Sequence, residues 1–283
     1  MQWVSSQQMV HDVAEFAAVI PDNIVGVVGI PRSGSMVGSL IAMYRHLYFA
    51  SVDSFVRHGF DSPGKRLRTQ PPPDRGRLLL LDDSIAKGRS MKAAHRQLQE
   101  STQSKSFRII RACLYAKPGA EAGVDLVQKI VPMPRVFQWN LFAHPDSQQW
   151  AFDLDGVFCV DPKVRDNDGP TYRKSLRRAA PLWRPRKPIG GIITCRLQRW
   201  NKITKVWLGQ HQIKTKRLIM HPAATARQRR KQGRYGEWKA EQCQKIKAQL
   251  MVESNPAQAS VIAEHASIPV ICTDNMQLYQ RNQ

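Results

Sequence analysis

The stretch LLLLDDSIAKGRS, residues 78–90, joins an apolar strand directly to two adjacent acids. Its four leucines predict a buried strand of a parallel sheet, with Asp82 and Asp83 at its carboxyl end. A small, glycine-containing loop follows, and a helix is predicted from Ser90 to Glu100. Adjacent carboxylates repel each other unless something bridges them. The stretch therefore predicts a binding site for a sugar diol, a magnesium ion or a phosphate ester.

A similar strand–loop–helix pattern lies upstream of this stretch. NIVGVVGI (23–30) is predicted to form a buried strand, PRSGS (31–35) a loop, and MVGSLIAMYRHL (36–47) a helix. Backbone N–H groups and Arg32 then stand at a helix N-terminus, which attracts anions. YFASVDSF (48–55) is predicted as a further strand.

The remaining patterns of this half complete an open α/β sheet. Ser5–Val19 is predicted as an amphipathic helix, and FRIIRACLYA (107–116) and LVQKIVPM (126–133) as strands. Segment 57–77 has no periodicity and several basic residues, which favours a lid or a disordered loop. Strands that alternate with helices predict ligands at the carboxyl ends of the strands, where both loops described above lie.

LLLLDDSIAKGRS resembles the signature of type I phosphoribosyltransferases: four apolar residues, two acids and a loop that cradles a 5′-phosphate. GIPRSG (29–34) is similar to the same family's pyrophosphate loop. The resemblance covers roughly residues 1–140. It implies Mg²⁺-dependent transfer of phosphoribose from phosphoribosyl pyrophosphate (PRPP) to a nucleobase. Lys87 departs from the family pattern, which usually has a small hydroxyl residue or alanine there.

The resemblance assigns two groups of residues. Segment 57–77 occupies the place of the family's mobile catalytic loop, so Lys65, Arg66 and Arg68 become candidates for gripping the leaving pyrophosphate. The residues that would bind PRPP are Arg32, Ser33, Gly34, Asp82, Asp83, Ala86, Lys87, Gly88, Arg89 and Ser90.

The second half repeats the pattern of a strand that ends in acids. In WAFDLDGVFCVD (150–161), the apolar positions end at Asp153, and Asp155 follows before Gly156. Alternate residues of an extended chain point the same way, so both carboxylates can address one site. Phosphoester transfer needs a nucleophile, a proton donor and a cation to offset charge.

This DxDG pattern resembles the first motif of the haloacid dehalogenase-like (HAD) superfamily, and the resemblance covers roughly residues 149–275. It implies that Asp153 attacks phosphorus and that Asp155 is the general acid and base. Three later elements follow in the family's order. These are Thr194 at the end of the strand IGGIITCR, Lys239 in the first turn of a helix, and Glu253 at the end of a strand. Asp153, Asp155 and Glu253 would hold Mg²⁺, although most members carry two acids where Glu253 stands alone.

Composition and charge limit the classes of function. The net charge is +21; residues 1–150 contain 18 lysines and arginines against 12 acids, and residues 151–283 contain 25 against 10. Such an excess attracts polyanions, although the sparse aromatics in the basic runs do not favour nucleic acid. There is no apolar run long enough for a membrane span and no secretory signal pattern. The five scattered cysteines favour a reducing, cytoplasmic setting.

Together these patterns predict two α/β domains, each a Rossmann-like open parallel sheet, over residues 1–145 and 146–283. We expect a bifunctional enzyme that joins PRPP-dependent transfer to a nucleobase with phosphate ester or anhydride hydrolysis on a phosphorylated small molecule. A homo-oligomer is compatible with this prediction. The alternative is a regulator that senses PRPP or binds nucleic acid with little or no turnover.

Overall fold

The computed structural model describes residues 1–62, 72–162 and 168–281. The chain is an α/β protein with parallel sheets, and it divides into two compact units. The first unit comprises Gln2 and Val4–Arg135, and the second comprises Met1, Trp3 and Val136–Gln283. The predicted boundary after residue 145 stays a prediction.

The first unit contains a five-stranded parallel sheet in the order β3-β2-β4-β5-β6. The chain runs outward from β2 to β3 and then returns to β4 on the other side of β2. This reversal creates a crevice at the carboxyl ends of β2 and β4, where open α/β sheets bind ligands. Two short strands, β1 (Gln2–Val4) and β7 (Arg135–Phe137), lie outside this sheet and include residues of both units. The strands of the sheet are β2 (Ile24–Gly29), β3 (Tyr48–Ser51), β4 (Gly76–Ile85), β5 (Phe107–Ala116) and β6 (Leu126–Ile130).

Helices cover the sheet of the first unit. They are α1 (Ser6–Val19), α2 (Ser33–Arg45), α3 (Val52–His58) and α4 (Arg89–Glu100), with 3₁₀ turns at Thr102–Ser104 and Glu121–Gly123. The four leucines 78–81 are fully buried at the centre of the sheet, which confirms the buried strand predicted from them.

Two predictions for this unit need correction. The strand predicted over 48–55 ends at Ser51, because the Ser51 side chain accepts a hydrogen bond from the Ser54 N–H and caps α3. The strand of leucines extends to Ile85, so Asp82 and Asp83 lie inside β4 rather than beyond its end. The β5 strand continues alongside them, with Asp82 in register with Cys113.

The second unit has a six-stranded sheet in the order β10-β9-β8-β11-β12-β13, parallel except for the antiparallel β13. The chain moves outward from β8 through β9 to β10 and then returns to β11, beside β8. The second crevice therefore lies between β8 and β11. The strands are β8 (Ala151–Phe152), β9 (Gly191–Leu197), β10 (Leu218–His221), β11 (Met251–Glu253), β12 (Val270–Cys272) and β13 (Gln277–Tyr279).

Two predicted functional residues of this unit lie at other positions in their elements than the sequence predicted. Thr194 lies inside β9, which continues to Leu197, and Lys239 lies one turn after the start of α8 at Tyr235. No helix of the described residues is long and apolar enough to cross a membrane. The helices are α5 (Pro170–Arg178), α6 (Asn201–Gln210), α7 (Ala226–Gln232), α8 (Tyr235–Lys245) and α9 (Pro256–Ala266), with 3₁₀ helices at Gln138–Ala143, Pro145–Gln149 and Gln198–Trp200.

Candidate active sites

The pairing of β2 with β4 brings the two predicted loops of the first unit together. Ile30 N–H donates to the Leu81 carbonyl at 2.8 Å. At Gly34, a Cβ atom would lie 2.6 Å from that same carbonyl oxygen and 3.1 Å from Asp82 Oδ1. Only glycine therefore lets the start of α2 approach the acid pair this closely.

Asp82 and Asp83 form a partly desolvated acid pair. Asp83 is buried, and its N–H donates to Asp82 Oδ1 at 2.9 Å. Burial, together with the neighbouring Asp83 charge, raises the pKa of Asp82 to about 8. Below that pH, Asp82 holds a proton in the absence of a ligand, so the pair carries less negative charge than its sequence suggests.

A buried arginine lies close to this pair and was not predicted. Arg135 donates through Nη2 to the Ile85 carbonyl at 3.0 Å and through Nη1 to the Val131 carbonyl at 3.0 Å. Burial lowers the pKa of Arg135, and the Asp83 charge opposes that effect. The contact could not be predicted from local patterns, because Arg135 lies far along the chain from residues 82–90.

The loop that follows β4 borders a cavity of about 300 Å³. Gly88 adopts a left-handed conformation with φ of 67° immediately before α4, which turns the chain so that the first amides of α4 stand at the loop. Ala86, Lys87, Arg89 and Ser90 are exposed there. The cavity is lined by Asp82, Ser84, Ile85, Ala86, Lys87, Gly88, Arg89, Ser90 and Met91.

Some of the remaining residues predicted for this site are described by the structure, and others are not. Arg32 is exposed just before α2, and its side chain makes no capping hydrogen bond; Ser33 is the first residue of that helix. Lys65, Arg66 and Arg68 lie outside the described residues, so their assignment to pyrophosphate stays a prediction.

In the second unit, Lys239 joins two predicted acids. Its Nζ donates to Asp153 Oδ2 at 2.8 Å and to Glu253 Oε2 at 2.7 Å. All three side chains are buried, although they come from distant parts of the sequence: Asp153 follows β8, Lys239 lies in α8 and Glu253 ends β11. Burial and the Glu253 charge raise the pKa of Asp153 well above its ordinary value, while Lys239 acts in the opposite direction. Burial disfavours the ammonium, but the two carboxylates outweigh it and raise the pKa of Lys239.

Backbone groups fix the two acids. Asp153 Oδ1 accepts from the Leu154 N–H at 2.8 Å. Glu253 Oε1 accepts from the N–H groups of Ser254 at 2.9 Å and Asn255 at 3.1 Å. Because the oxygens of both carboxylates are held, their positions are set before any ligand arrives.

Asp155 is bound by an arginine that the motif analysis did not include. Arg196 is buried, and its Nε donates to Asp155 Oδ2 at 2.9 Å and to Oδ1 at 3.1 Å; its Nη2 also bonds Oδ1. The Cys159 thiol donates to the same carboxylate. Thr194 accepts from the Arg196 N–H at 3.2 Å. Thr194 and Arg196 are two residues apart on a strand, so their side chains lie on the same face. This spacing was the signal in the sequence that could have predicted Arg196 at the site.

These predicted residues surround one cavity of about 280 Å³ at the crevice between β8 and β11. Residues outside the predicted set also reach it, among them Asp161, Tyr172, Arg229, Arg230, Tyr235 and Gln258. The predicted residues that line it are Asp153, Asp155, Thr194, Lys239 and Glu253.

The donors in this cavity suit Mg²⁺ in their chemistry. Each oxygen of Asp153 accepts one hydrogen bond among the described residues and so keeps a lone pair. Gln258 Oε1 is buried without a hydrogen-bond partner, which adds a neutral oxygen of the kind Mg²⁺ accepts. The described residues contain no cluster of three or more His, Cys, Asp or Glu side chains arranged for a metal. Arg196 and Cys159 bond the Asp155 carboxylate. Its backbone carbonyl accepts one hydrogen bond, from Ser254 Oγ at 2.9 Å, and keeps a lone pair for a metal.

Solved phosphoribosyltransferase structures are similar to the N-terminal half of this chain. The xanthine-guanine-hypoxanthine phosphoribosyltransferase of Helicobacter pylori is 18% identical with a TM-score of 0.37, over 50% of this chain and 99% of that one. The purine phosphoribosyltransferase of Pyrococcus horikoshii is 17% identical with a TM-score of 0.36, over 49% and 92%. No family model and no curated protein matches the chain.

Proposed function

We propose that the first unit transfers phosphoribose from PRPP to a nucleobase. The observation that carries this proposal is the meeting of the loop before α2, the acid pair and the loop before α4 at one crevice. Gly34 lies against Asp82, and the cavity beside Asp82 is bordered by the loop that leads into α4. A ribose bearing a 5-phosphate and a 1-pyrophosphate presents a diol between two anionic groups, in the same order.

Each part of this crevice has a defined task in the transfer. Asp82 and Asp83 bind the 2′- and 3′-hydroxyls, and the amides of residues 86–90 bind the 5-phosphate. A ring nitrogen of the base attacks C1 as the C1–O bond breaks, and the electron pair of that bond leaves with pyrophosphate. Mg²⁺, when bound, offsets charge on the pyrophosphate. The transition state is oxocarbenium-like, so positioning and charge neutralisation supply most of the catalysis.

The test is ³¹P NMR of the Asp153→Asn protein with Mg²⁺, PRPP and a mixture of purine, pyrimidine and pyridine bases. Because this variant lacks the proposed nucleophile of the second site, that site cannot hydrolyse the pyrophosphate that the first site releases. We expect a nucleotide signal and a pyrophosphate signal to rise together, and both to be lost when Asp83→Asn is added. Saturable PRPP binding without any new signal would instead favour the sensing alternative.

We propose that the second unit hydrolyses a phosphate ester or anhydride through an aspartyl-phosphate at Asp153. The observation that carries this proposal is the convergence of Asp153, Thr194, Lys239 and Glu253 on one cavity. A nucleophilic carboxylate, a lysine that offsets charge and a hydroxyl that can bind a phosphoryl oxygen are the groups such a reaction requires.

The residues of the chain have separable roles. Asp153 attacks phosphorus, Lys239 keeps that carboxylate in place, and Thr194 binds a phosphoryl oxygen. Asp153, Glu253, the Asp155 carbonyl and Gln258 Oε1 would hold Mg²⁺, which offsets charge on the phosphoryl oxygens when bound. The test is orthophosphate release from a panel of phosphate compounds. We expect release that Asp153→Asn abolishes and that the first-site variant Asp83→Asn leaves unchanged; release that persists in Asp153→Asn would overturn the assignment.

A further inference from the structure

A long stretch of the second unit contains many cations and no acid. Residues 169–236 hold 12 arginines and 7 lysines without a single aspartate or glutamate. Arg196, Arg199 and Arg234 pair with acids outside the stretch, and no ion pair joins the other sixteen cations to an acid among the described residues. Seventeen of the nineteen are exposed. The stretch therefore presents a positive surface that the protein does not neutralise, and such a surface attracts polyanions.

Two helices of this stretch border the cavity of the second site. Side chains of α5, β10 and α7 share one apolar cluster, and Tyr172 of α5 lines the cavity together with Arg229 and Arg230 of α7. The lining holds four acids, Asp161 included, and four cations. The excess charge therefore lies on the exposed surface of the helices that border the cavity, and not inside it. The exposed cations of α5 and α7 outside the lining are Arg173, Lys174, Arg177, Arg178, Arg227 and Lys231.

An exposed tryptophan follows α5 within the same stretch. Trp183 is 43% exposed, and its indole stacks on Phe142 with 4.9 Å between ring centroids and 13° between the planes. Three of the next four residues are cations. Residues 180–182 hydrogen-bond with residues 158–160, and Asp161, the next residue of that segment, lines the cavity. A held and exposed indole beside cations suits the stacking of a nucleobase, and this contact cannot be read from the basic runs alone.

These observations point to one class of substrate, and the inference rests on the proposed hydrolase function. We propose that the second unit binds single-stranded nucleic acid across α5 and α7 and that the phosphorylated end of that strand is the substrate at Asp153. A chain of phosphodiesters presents repeated negative charge to the whole basic surface, whereas a small phosphate compound reaches only the cavity. Unpaired bases can stack on Trp183. Arginine, the more frequent cation of the stretch, binds two phosphate oxygens through its planar fork.

The reaction is the one already proposed for this site. The ester bond between the terminal phosphorus and the chain-end oxygen breaks, and its electron pair stays on that oxygen. Asp153 carries the phosphoryl group until water attacks. Overall, one water is consumed: its hydroxyl joins phosphorus and its proton goes to the chain-end oxygen. The products are orthophosphate and a nucleic acid with a free hydroxyl end.

Binding is measured with the Asp153→Asn protein, which lacks the proposed nucleophile and so leaves the substrate intact. The probe is a short fluorescein-labelled single strand with a terminal phosphate, followed by anisotropy across a salt series. We expect the combined change Lys174→Gln, Arg177→Gln and Arg178→Gln to make the slope of log affinity against log salt shallower by about 2, at about 0.7 for each phosphate contact of a single strand. The matched control removes the same charge from exposed residues of this unit outside the stretch and should leave the slope unchanged; it combines Lys245→Gln, Lys247→Gln and Arg281→Gln.

Two further measurements test the stacking and the kind of polyanion. Trp183→Ala should weaken binding of the single strand by about 10-fold or more, and Trp183→Phe should restore most of it, because a phenyl ring also stacks. Vesicles of phosphatidylserine and phosphatidylcholine test an anionic membrane as the partner. Binding to these vesicles without binding to the single strand would overturn the proposal, as would equal slopes in the two triple variants or an unchanged affinity in Trp183→Ala.

Turnover tests whether the bound end is the substrate. With Asp153 restored, kcat/KM for orthophosphate release in Mg²⁺ is compared for strands with a 5′- or a 3′-phosphate and for the corresponding nucleoside monophosphates. We expect one of the strands to exceed its monophosphate by about 10-fold or more through a lower KM, because the basic surface concentrates the polyanion at the site; preference for either end supports the proposal. Equal kcat/KM for strands and monophosphates would overturn the substrate assignment alone. Absence of Asp153-dependent release from every compound would overturn the hydrolase function with it.

Discussion

Asp82→Asn should raise the free energy of unfolding of the first unit at alkaline pH. The folded wild-type protein holds two adjacent carboxylates together, and their burial and mutual repulsion destabilise it when both are charged. Burial and Asp83 raise the pKa of Asp82 from its ordinary 3.8 to about 8. An amide keeps the local bonds: its oxygen can accept from the Asp83 N–H, as Asp82 Oδ1 does at 2.9 Å. Its NH₂ can donate toward the Asp83 carboxylate, as a protonated Asp82 would.

The sign and size of the effect follow from the two pKa values. The folded state binds the proton more tightly than the unfolded chain, so wild-type stability falls as pH rises from about 4 to about 8. At about 1.4 kcal/mol for each pKa unit, the penalty at pH 8 has an upper limit of about 5 kcal/mol. Relaxation and water entry reduce such penalties, and we expect Asp82→Asn to gain about 2–3 kcal/mol near pH 8. Near pH 5 the gain should be under about 1 kcal/mol.

The assay must report on the first unit alone. None of the seven tryptophans belongs to that unit, so tryptophan fluorescence does not follow it. Cys113 is its only cysteine and is fully buried in β5. We would pulse-label Cys113 with a methanethiosulfonate reagent across a urea series, without PRPP or Mg²⁺, and quantify labelling by mass spectrometry at both pH values.

Asp74→Asn is the matched control, since it removes the same charge from an exposed position in the same unit; we expect no pH-dependent gain from it. A gain for Asp82→Asn that is equal at the two pH values, or no gain near pH 8, would refute the reasoning. The same variant should bind PRPP more weakly than wild type, because an amide cannot supply the carboxylate that the ribose hydroxyls use. A residue that destabilises the fold while it strengthens binding is what a functional site predicts.

Two further substitutions test the structure of the sites. Lys239→Met leaves Asp153 and Glu253 facing each other without a cation, so we expect a loss of about 3–5 kcal/mol at neutral pH. That loss, measured by tryptophan fluorescence in urea, should shrink in acid as the carboxylates take up protons; a pH-independent loss would contradict the charge argument. Gly34→Ala places a Cβ at 2.6 Å from the Leu81 carbonyl oxygen. We therefore expect weaker PRPP binding by calorimetry, and a loss of about 1–3 kcal/mol in the free energy of unfolding by the thiol-labelling assay. Unchanged affinity would show that the loop moves freely.

Local patterns predicted the elements that carry these sites, because the information lies in consecutive residues. Four leucines directly before two acids are typical of a strand buried on both faces of a sheet, and β-branched runs mark the strands around them. The sequence also predicted that the loops and the acids lie close together, since parallel strands bring their carboxyl ends to one edge of the sheet. The prediction went wrong at YFASVDSF, where a hydroxyl at Ser51 captures an amide and starts a helix. Strand propensity cannot outweigh a cap at that position.

Local sequence patterns could not predict which side chains from neighbouring strands contact the acids of the second site. These contacts determine the chemistry of that site. Arg196 comes from β9 and donates to both oxygens of Asp155, a contact that the motif did not predict. The basic run ARQRRKQ (226–232) contains Arg227 and Arg229 without any local feature to separate them, yet one is exposed and the other buries its Nε in the cavity wall. A charge run predicts attraction to anions in general. Which of these guanidinium groups reach the cavity depends on the packing of α7, which places Arg229 and Arg230 in its lining and leaves Arg227 outside.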